Sequence, residues 1–468
     1  MDITNSTPTY PTRSLQFLKR VDSPSKGAYV SKTKEPAKVK FKVIIAGAGL
    51  GGLATAIALA LRGHQVTIFE QAKELGEVGA GIQIPSNSSR LLLKWGLGPH
   101  FEGKVVQPEG MSFRRWQSGK RIGYTKLVPD FQEKFNAPYY VIHRAHFHEA
   151  MHKRALEVGV EIEVDSKIVD YDFDRPSLTL ENGSVHAADL IVAADGVKSL
   201  ARGIILGDKD QLPRMTGFAA YRATVPVEKM QADPDLAWIL ENNGLHCWIG
   251  DLRHVMSYTI AGGKSFNMVL SHPEKSDPST WRQETALEDM KQQFQGWDFR
   301  LTRVIDMVKS TIKWPLFTGY PLDHWVAPSG KALIIGDAAH AMLPYMSQGA
   351  AMAVEDGSAL ATILSTITSK EDLVPALRIF EHVRRTRTSQ MQHASLINGR
   401  IWHYADGPEQ RARDEGMRPE VEGRQFVESP NQWSDPVTQE WCYGYDADAV
   451  VLEAWEEWLR KRDSETIG

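Results

Sequence analysis

Short apolar runs followed by turns recur along the chain. Residues 43–45, 65–69, 190–194 and 332–335 are rich in Val, Ile, Leu and Ala. Runs of this length without polar alternation are typical of parallel strands that are buried on both faces. Helical segments follow several of them. The pattern therefore predicts an α/β fold, with helices packed on a parallel sheet.

Residues 211–318 have a different pattern, in which polar and apolar positions alternate in short segments between many turns. Residues 216–225 and 247–260 are the clearest examples. Alternation with period two predicts half-buried strands, so we expect a mostly antiparallel sheet here. Inserted between two parts of one domain, residues 40–210 and 319–400, this sheet would form the second wall of a pocket.

The two ends of the chain follow neither pattern. Residues 1–39 are rich in Ser, Thr, Pro and Lys, and we interpret them as a disordered or loosely docked extension rather than a transit peptide. Residues 401–468 are rich in Trp and Tyr and end in a helix with Val451, Trp455 and Leu459 on one face. This apolar face is expected to pack against the body of the protein or against a second copy in a homodimer.

Composition narrows the possible functions. The 468 residues carry a net charge of −4, without the basic excess of a nucleic-acid binder. With Cys247 and Cys442 as the two cysteines, no disulfide framework is expected, which favours a cytoplasmic location. Residues 43–61 are uncharged and long enough to cross a bilayer. Glycines interrupt them, so we predict no membrane span.

These glycines have the spacing Gly47-x-Gly49-x-x-Gly52. In a strand-turn-helix unit the first glycine permits the tight turn, the second lets a pyrophosphate approach the backbone, and the third lets the helix pack on the strand. The next strand ends at Glu70, whose carboxylate is expected to bind a ribose hydroxyl. An acid there disfavours a 2′-phosphate, so the unit predicts bound FAD or NAD rather than NADP.

Further residues favour FAD over NAD. Gly81 is the third glycine within six residues after the second strand, where the ribityl chain of a flavin must lie close to a backbone. Arg144 stands near the start of a helix predicted at residues 146–156, where it would contact a phosphate or a ribityl oxygen. The alternative for Arg144 is a surface ion pair.

Asp195 and Asp337 each stand beside a glycine at the end of a predicted strand. Ligands gather at the carboxyl ends of strands in open α/β sheets, so both are candidate cofactor-binding residues. Asp337 is expected to accept a ribityl hydroxyl. A helix that begins near Gly349 and Ala350 would present backbone amides to the negative charge of a reduced flavin.

Together these features resemble a known family. The resemblance rests on the glycine motif and on two further motifs, Asp195-Gly196-x-x-Ser199-x-x-Arg202 and Gly336-Asp337-Ala-Ala-His340-x-x-x-Pro344. They are similar to those of the class A flavoprotein aromatic hydroxylases, the group of salicylate hydroxylase and para-hydroxybenzoate hydroxylase. The resemblance implies a Rossmann-type FAD-binding domain, an inserted substrate sheet and a helical C-terminal segment. It also implies FAD as cofactor, NADPH or NADH as a transient co-substrate, and O2-dependent hydroxylation of a phenolic compound through a flavin C4a-hydroperoxide.

Two segments, Pro8-Thr-Tyr-Pro11-Thr-Arg13 and Trp433-Ser-Asp-Pro436 to Trp441-Cys-Tyr-Gly-Tyr445, are most similar to those of fungal polyketide-tailoring members, in particular the sorbicillinoid monooxygenases. This resemblance implies a role in secondary metabolism, with oxidative dearomatisation of a sorbicillin-type substrate to a dienone. A decarboxylating hydroxylase of the salicylate type is the alternative. A FAD-binding protein or oxidase that inserts no oxygen is an alternative from another class.

Arg222 and Tyr258, on two predicted strands of the inserted sheet, are the candidate catalytic residues. A guanidinium and a phenol hydroxyl beside the substrate oxygen would lower its pKa and hold the electron-rich phenolate in place. The resemblance supports both residues, because phenol-dearomatising relatives have an Arg and a Tyr at matching places. The alternatives are a surface ion pair for Arg222 and a core position for Tyr258. We interpret His254 as a structural residue.

Two further features have structural interpretations. His340 suggests a metal ligand, but no cluster of His, Asp and Glu has ligand spacing, so we predict no metal site and a packing and flavin-positioning role for His340. Arg384, Arg385 and Arg387 form a basic run on a predicted helix. We interpret this run as a solvated helix face rather than a nucleic-acid patch.

Overall fold

The computed structural model describes residues 36–76 and 80–467. Most of the predicted N-terminal extension, residues 1–35, lies outside the described residues, as do three residues of the glycine-rich segment before Gly81. The strands are β1 (Lys42–Ala46), β2 (Gln65–Phe69), β3 (Gly81–Ile84), β4 (Gly110–Arg115), β5 (Arg121–Lys126), β6 (Tyr140–His143), β7 (Glu161–Glu163), β8 (Ile168–Asp172), β9 (Ser177–Leu180), β10 (Val185–Ala187), β11 (Leu190–Ala193), β12 (Arg214–Pro226), β13 (Leu245–Gly250), β14 (Arg253–Ile260), β15 (Ser265–Pro273), β16 (Ile312–Thr318) and β17 (Ala332–Ile334).

The α-helices alternate with these strands in the first part of the chain and dominate the last part. They are α1 (Leu50–Leu61), α2 (Ser86–Lys94), α3 (Gly98–Phe101), α4 (Asp130–Phe135), α5 (Arg144–Glu157), α6 (Leu200–Leu206), α7 (Val227–Gln231), α8 (Ala286–Gln293), α9 (Phe299–Asp306), α10 (Asp337–His340), α11 (Gly349–Thr366), α12 (Leu373–Trp402), α13 (Pro408–Glu422), α14 (Pro436–Tyr443) and α15 (Ala447–Ile467).

A parallel sheet with the order β17-β11-β1-β2-β7 forms the centre of the first domain. All its neighbouring strands pair in parallel, and four of them are the predicted apolar runs. The uncharged stretch at residues 43–61 divides into β1 and α1. In the described part of the chain, no helix combines the length and the apolarity needed to cross a membrane.

A larger mixed sheet has the order β16-β12-β15-β14-β13-β4-β5. We call it the large sheet. Its strands pair in antiparallel fashion except for β13 and β4, which are parallel. The predicted limits of this sheet, residues 211–318, leave out β4 and β5. The chain crosses from the parallel sheet to the large sheet at residue 110 and returns after residue 126, so the insertion comes in two pieces.

The C-terminal segment packs against the body of the protein, as its apolar face predicts. Val451 and Trp455 of α15 are buried in the core around the parallel sheet. Trp433 and Trp441 are buried in a second core between the large sheet and the C-terminal half of α12. The aromatic residues of this segment therefore contribute to both cores.

The prediction for the basic run on α12 is wrong. Arg384 and Arg387 are buried, and they pair with acids of α11. Arg384 Nη1 lies 2.8 Å from Glu355 Oε2, and Arg384 Nε lies 2.8 Å from Asp356 Oδ1. Arg387 Nη2 lies 3.2 Å from Glu355 Oε1. The partners come from another helix, so the spacing of charges along α12 does not reveal them.

Candidate active site

A cavity of about 400 Å³ lies between the carboxyl ends of the parallel strands and one face of the large sheet. Most of the predicted site residues line it, namely Gly49, Gly81, Arg144, Arg222, Tyr258, Asp337, Gly349 and Ala350. The other predicted residues, Gly47, Gly52, Glu70 and Asp195, lie near the same strand ends but outside its lining. The structure thus brings together residues that are up to 301 positions apart in the sequence, from Gly49 to Ala350.

The three glycines of the first turn have different surroundings. Gly47 has a φ of 99°, and a Cβ there would meet Ala194 O at 2.7 Å. A Cβ at Gly52 would overlap the carbonyl oxygen of Gly47. A Cβ at Gly49, by contrast, would meet no described atom within 4 Å, and this glycine lines the cavity. Gly47 and Gly52 are needed for the turn itself, whereas Gly49 leaves space beside the first amides of α1.

The two other residues outside the lining make local contacts. Glu70, after β2, accepts hydrogen bonds from the amides of Ala48 at 2.7 Å and Ala72 at 2.8 Å. A carboxylate has lone pairs for further donors, so Glu70 can still accept a ribose hydroxyl. Asp195 Oδ2 accepts the amide of Leu200 at 2.9 Å, at the start of α6. Its observed contacts give Asp195 a helix-capping role, and contact with a cofactor stays a prediction.

The Gly-Asp turn after β17 is tied to α11 by a buried network. His340 Nε2 lies 2.7 Å from Asp356 Oδ2, and the same oxygen accepts the amide of Gly336 at 3.2 Å. Burial raises the pKa of Asp356, but His340 and Arg384 outweigh it and hold this pKa below its ordinary value. His340 therefore connects the turn that carries Asp337 with the helix that begins at the cavity, in line with its predicted positioning role.

These features fit a flavin nucleotide. Two helix N-termini, those of α1 and α11, begin at the cavity, and their first amides lack intrahelical acceptors. The missing side chain of Gly49 leaves room for a phosphate group. Asp337 is exposed and lines the cavity, where it can accept a hydroxyl. In the described part of the chain, no group of His, Cys, Asp and Glu side chains is arranged to hold a metal ion.

The large sheet supplies the opposite wall through alternate residues of three neighbouring strands. In the register of β12, β15 and β14, Arg222 pairs with Val269, and Val269 pairs with Met256. Tyr258 lies two residues along β14 from Met256, on the same face. All four residues line the cavity. Tyr258 is at the same time buried in the second core, where its alternative interpretation places it.

Tyr258 joins this wall to the flavin side. Its ring lies against Gly81, where a Cβ would meet Tyr258 Cε2 at 2.5 Å. The neighbouring Asn267 accepts the Gly81 amide at 2.8 Å. Burial raises the pKa of Tyr258 above its ordinary value, and the positive charge of Arg222 partly opposes this shift. Tyr258 is thus a neutral hydroxyl within electrostatic reach of a guanidinium.

Sequence reasoning missed several polar and aromatic residues of the wall. Gln83, His254, Gln348 and Trp402 also line the cavity. His254 stands four residues before Tyr258 on β14, so alternation along that strand would have placed both on one face. Gln83 Oε1 accepts the hydroxyl of Tyr139 at 2.5 Å. No local pattern marks Trp402, because it comes from the end of a distant helix.

Comparisons with known proteins agree with this geometry. The chain belongs to the family described as FAD binding domain, whose model matches residues 40–395. It is an FAD-dependent monooxygenase of the aromatic hydroxylase type. The resemblance stated from the motifs is thereby confirmed, as are the α/β fold class and the FAD cofactor.

Two relatives and one solved structure illustrate the match. The chain is 35% identical to the FAD-dependent monooxygenase OpS4 of Beauveria bassiana (strain ARSEF 2860), over 88% of this chain and 96% of the relative. It is 33% identical to a 3-hydroxybenzoate 6-hydroxylase of Polaromonas naphthalenivorans (strain CJ2), over 86% of this chain and 96% of the relative. A salicylate hydroxylase solved with its substrate has a TM-score of 0.72 at 24% identity, over 89% of this chain and 98% of that chain, and shows the same fold.

Proposed function

We propose that this protein uses NADPH or NADH and O2 to hydroxylate a phenolic compound whose ring lies between the flavin side of the cavity and the large sheet. The observation that carries the proposal is the placement of Arg222 and Tyr258 on the same cavity wall, with Asp337 and the start of α11 lining the other side. Curated relatives support the substrate class, since one of them is named a 3-hydroxybenzoate 6-hydroxylase.

Arg222 and Tyr258 would act on the phenolic oxygen. A guanidinium at hydrogen-bond distance favours the phenolate over the phenol, and a phenolate ring is far more reactive towards an electrophilic oxygen. The Tyr258 hydroxyl would donate a second hydrogen bond and so decide which ring carbon faces the flavin. The flanking Met256, Val269 and Leu316 are apolar and line the same cavity, so they would exclude water from the reacting ring.

On the other side, residues of the first domain would hold FAD. The first amides of α1 would bind its pyrophosphate, Glu70 its ribose and Asp337 its ribityl chain. The amides of Gly349 and Ala350, at the start of an 18-residue helix, would stabilise negative charge on the ring system. Bound FAD, once reduced by the nicotinamide co-substrate, would activate O2, so that one oxygen atom goes to the substrate and the other leaves as water. The protein supplies orientation and charge.

The narrower form of the proposal is a dearomatising role in fungal secondary metabolism, on a sorbicillin-type phenol. Attack at a ring carbon that already bears a substituent prevents the return of aromaticity, so a dienone results. The similarity to an FAD-dependent monooxygenase of the fungus Beauveria bassiana supports the fungal part of this proposal. Attack at a carbon that bears a carboxyl group would instead release CO2, as in a salicylate-type reaction.

One experiment separates these outcomes. Purified holoenzyme is offered a panel of phenols with NADPH or NADH under labelled oxygen gas, and nicotinamide oxidation and product mass are measured. We expect stimulated oxidation of the nicotinamide and one labelled oxygen atom in the product. Retention of every ring substituent with loss of the aromatic absorption indicates a dienone, and CO2 release indicates decarboxylation. A product without label contradicts the monooxygenase reaction and favours an oxidase.

A variant pair tests the role of Arg222. Arg222→Ala should lower kcat/KM by about a hundredfold, the loss expected when a charge-stabilising donor is removed, while FAD stays bound. Arg214→Ala is the matched control, because Arg214 is exposed on the same strand and does not line the cavity. Unchanged kinetics in Arg222→Ala would remove the proposed phenolate contact.

A further inference from the structure

A glutamine at the cavity wall is hydrogen-bonded to the aromatic residues behind it. Gln83 of β3 lines the cavity and retains 8% of its surface exposed. Its Oε1 accepts the Tyr139 hydroxyl at 2.5 Å, and the oxygen of Tyr139 accepts Trp433 Nε1 at 3.4 Å. Tyr139 and Trp433 are both buried in the second core. The three side chains form a hydrogen-bonded chain that ends at the cavity, and we call it the Gln83 chain.

The direction of donation along the Gln83 chain is set at its buried end. An indole nitrogen carries a proton and has no lone pair to accept one, so Trp433 can only donate. The oxygen of Tyr139 receives that proton and directs its own proton to Gln83 Oε1. The distance of 2.5 Å between these two oxygens suits an O–H donor. Bonds from N–H to oxygen are longer, at about 2.7–3.2 Å, so the amide oxygen of Gln83 faces Tyr139 and the amide nitrogen points away.

The electrostatics of Tyr139 agree with this direction. Burial raises the pKa of Tyr139 above its ordinary value, so this residue is a neutral hydroxyl with a proton to donate. Hydrogen bonds from Trp433 and Ser347 partly oppose the shift, which is the effect of groups that donate to a phenolic oxygen. Since both neighbours donate to this oxygen, Gln83 Oε1 is the acceptor for the Tyr139 proton.

Aromatic packing holds the two rings of the Gln83 chain in place. Trp433 stacks on Trp402, with a centroid distance of 5.5 Å and an angle of 25°. Tyr139 packs edge-on against Phe131 at 5.7 Å and against Tyr443 at 6.2 Å. Neither ring can turn its polar atom away without disturbing these contacts. The C-terminal segment, which supplies Trp433 and Tyr443, therefore fixes the orientation of a polar group at the cavity.

The amide nitrogen of Gln83 belongs to the side of the cavity that faces the large sheet. Side chains alternate along a strand, so Gln83 and Gly81 share one face of β3. On that face Gly81 lies against Tyr258 and Asn267 of the large sheet. Among the described residues, Tyr139 is the hydrogen-bond partner of the Gln83 side chain, and it uses the amide oxygen. The protons on Nε2 are thus left for a ligand in the cavity.

Building on the proposed function, we propose that Gln83 is a specificity-determining residue whose Nε2 donates a hydrogen bond to an uncharged acceptor oxygen on a substituent of the phenolic substrate. Tyr139 and Trp433 are positioning residues that act through it. The acceptor is uncharged because Arg222 is assigned to the phenolic oxygen and Arg144 to FAD, so a buried carboxylate beside a neutral amide would lack a counter-charge. An apolar substituent in the same place leaves the amide unpaired, so the cavity disfavours it.

The test compares the binding of two ligands of the same shape to oxidised holoenzyme by equilibrium dialysis. One is a hydroxyacetophenone, and the other is the isopropenylphenol of the same ring pattern, in which a CH2 group replaces the carbonyl oxygen. All three ring isomers of the pair are measured. The ratio of the two Kd values defines the preference for the ketone. Because each variant is compared with the wild type through this ratio, the desolvation of the carbonyl and any general loss of affinity cancel.

Gln83→Leu should reduce the preference for the ketone by about tenfold, the effect of one lost hydrogen bond in a buried site. Tyr139→Phe should reduce it in part, because the released amide can turn its oxygen towards the cavity. Tyr140→Phe is the matched control, since Tyr140 follows directly on β6 and does not line the cavity. This control should keep the preference of the wild type. If Gln83→Leu does not retain FAD, Gln83→Met removes the same donor with a side chain of similar length.

The flavin provides a second measurement. The absorption spectrum and midpoint potential of the ligand-free holoenzyme should be the same in Gln83→Leu and in the wild type. A change in either would place the amide against the flavin and overturn the substrate contact. A wild-type preference for the ketone in Gln83→Leu would overturn the role of Gln83, and the same result in Tyr139→Phe would overturn the role of the Gln83 chain.

A third ligand tests the charge of the acceptor. If the hydroxybenzoate of the same ring pattern binds more tightly than the ketone and loses this advantage in Gln83→Leu, the acceptor is a carboxylate and the proposal of an uncharged group is wrong. Weaker binding of the hydroxybenzoate supports the proposal. These measurements need no turnover. Failure of the wild type to hydroxylate any phenol would therefore count against the proposed function and is distinguished from failure of the Gln83 contact.

Discussion

The Tyr258 ring packs directly on the backbone of Gly81, and this contact joins the substrate sheet to the flavin side of the cavity. A Cβ atom at Gly81 would come within 2.5 Å of Tyr258 Cε2 and 2.9 Å of Asn267 Cγ. The same Asn267 accepts the Gly81 amide. The position of the Tyr258 hydroxyl is therefore set by a residue of the other domain.

Gly81→Ala should displace the Tyr258 ring. We expect a loss of about 1–3 kcal/mol in unfolding free energy from overpacking. Misplacement of a positioning group should lower kcat by about a hundredfold. Denaturant unfolding and steady-state kinetics measure the two effects. Gly76→Ala is the control, because a Cβ there would meet no described atom within 4 Å. Equal activity in both variants would contradict a positioning role for this contact.

Gly49 and Gly52 should respond differently to alanine. At Gly49 the added methyl group meets no described protein atom and the φ of −67° suits alanine, so the apoprotein should keep its stability. The methyl group would occupy space assigned to the pyrophosphate, so FAD affinity should fall by about tenfold or more. Gly52→Ala should damage the turn itself, so it should lower both the stability of the apoprotein and its affinity for FAD. Apoprotein melting and FAD titration distinguish the variants, and a Gly49→Ala protein with wild-type affinity would contradict the assigned site.

The buried ion pairs between α11 and α12 should be important for stability. Removing the Arg384 side chain charge leaves Glu355 and Asp356 with an uncompensated negative charge, so Arg384→Met should cost about 3–5 kcal/mol of unfolding free energy. Arg385→Met, one residue along the same helix, removes a guanidinium that lies 3.9 Å from the exposed Asp323 and should cost less than about 1 kcal/mol. Urea unfolding of the holoproteins measures the difference. Similar losses of unfolding free energy in Arg384→Met and Arg385→Met would contradict the importance of the buried ion pairs for stability.

Glu420 of α13 should make stability depend on pH. Its carboxylate accepts the amide of Tyr124 at 2.8 Å and the side chain of Asn431 at 2.9 Å, and burial raises its pKa from 4.5 to about 7. The folded protein therefore binds this proton more tightly than the unfolded chain. The stabilisation is fully present below pH 4.5 and is lost as the pH rises to about 7. Over this pH range, the titration of Glu420 should change the free energy of unfolding by about 3 kcal/mol.

Glu420→Gln imitates the protonated acid and should remove this dependence. The variant should gain stability relative to the wild type between pH 5 and pH 7, by at most about 3 kcal/mol. Urea unfolding at several pH values gives the difference directly. Glu422 is exposed near the end of the same helix. The unfolding free energy of Glu422→Gln should therefore differ from that of the wild type by the same amount at every pH. If the difference in unfolding free energy between Glu420→Gln and the wild type were also independent of pH, Glu420 would be ionised in the folded protein at all these pH values.

Local patterns predicted the first strands and the glycine turn of the nucleotide-binding unit well. The strand ends at Ala46 and Phe69, and the turn at Gly47, follow from apolar run length and from the steric freedom of glycine, which act within a few residues. The way in which the helices and strands pack against one another was harder to predict from local patterns. The charge spacing on α12 suggested a solvated face, because Glu355 and Asp356 are on another helix.

The sequence by itself determined a dinucleotide site, since a strand, a glycine turn and an acid in fixed order define one through local sterics and hydrogen bonding, and the resemblance of its three motifs to a known family indicated the class of the protein. The tertiary structure decided which residues meet across the cavity. Strand register places Arg222 and Tyr258 on one face, and chain packing brings His403 to His254 across 149 positions. Such contacts depend on the summed packing of distant segments, which no local pattern encodes.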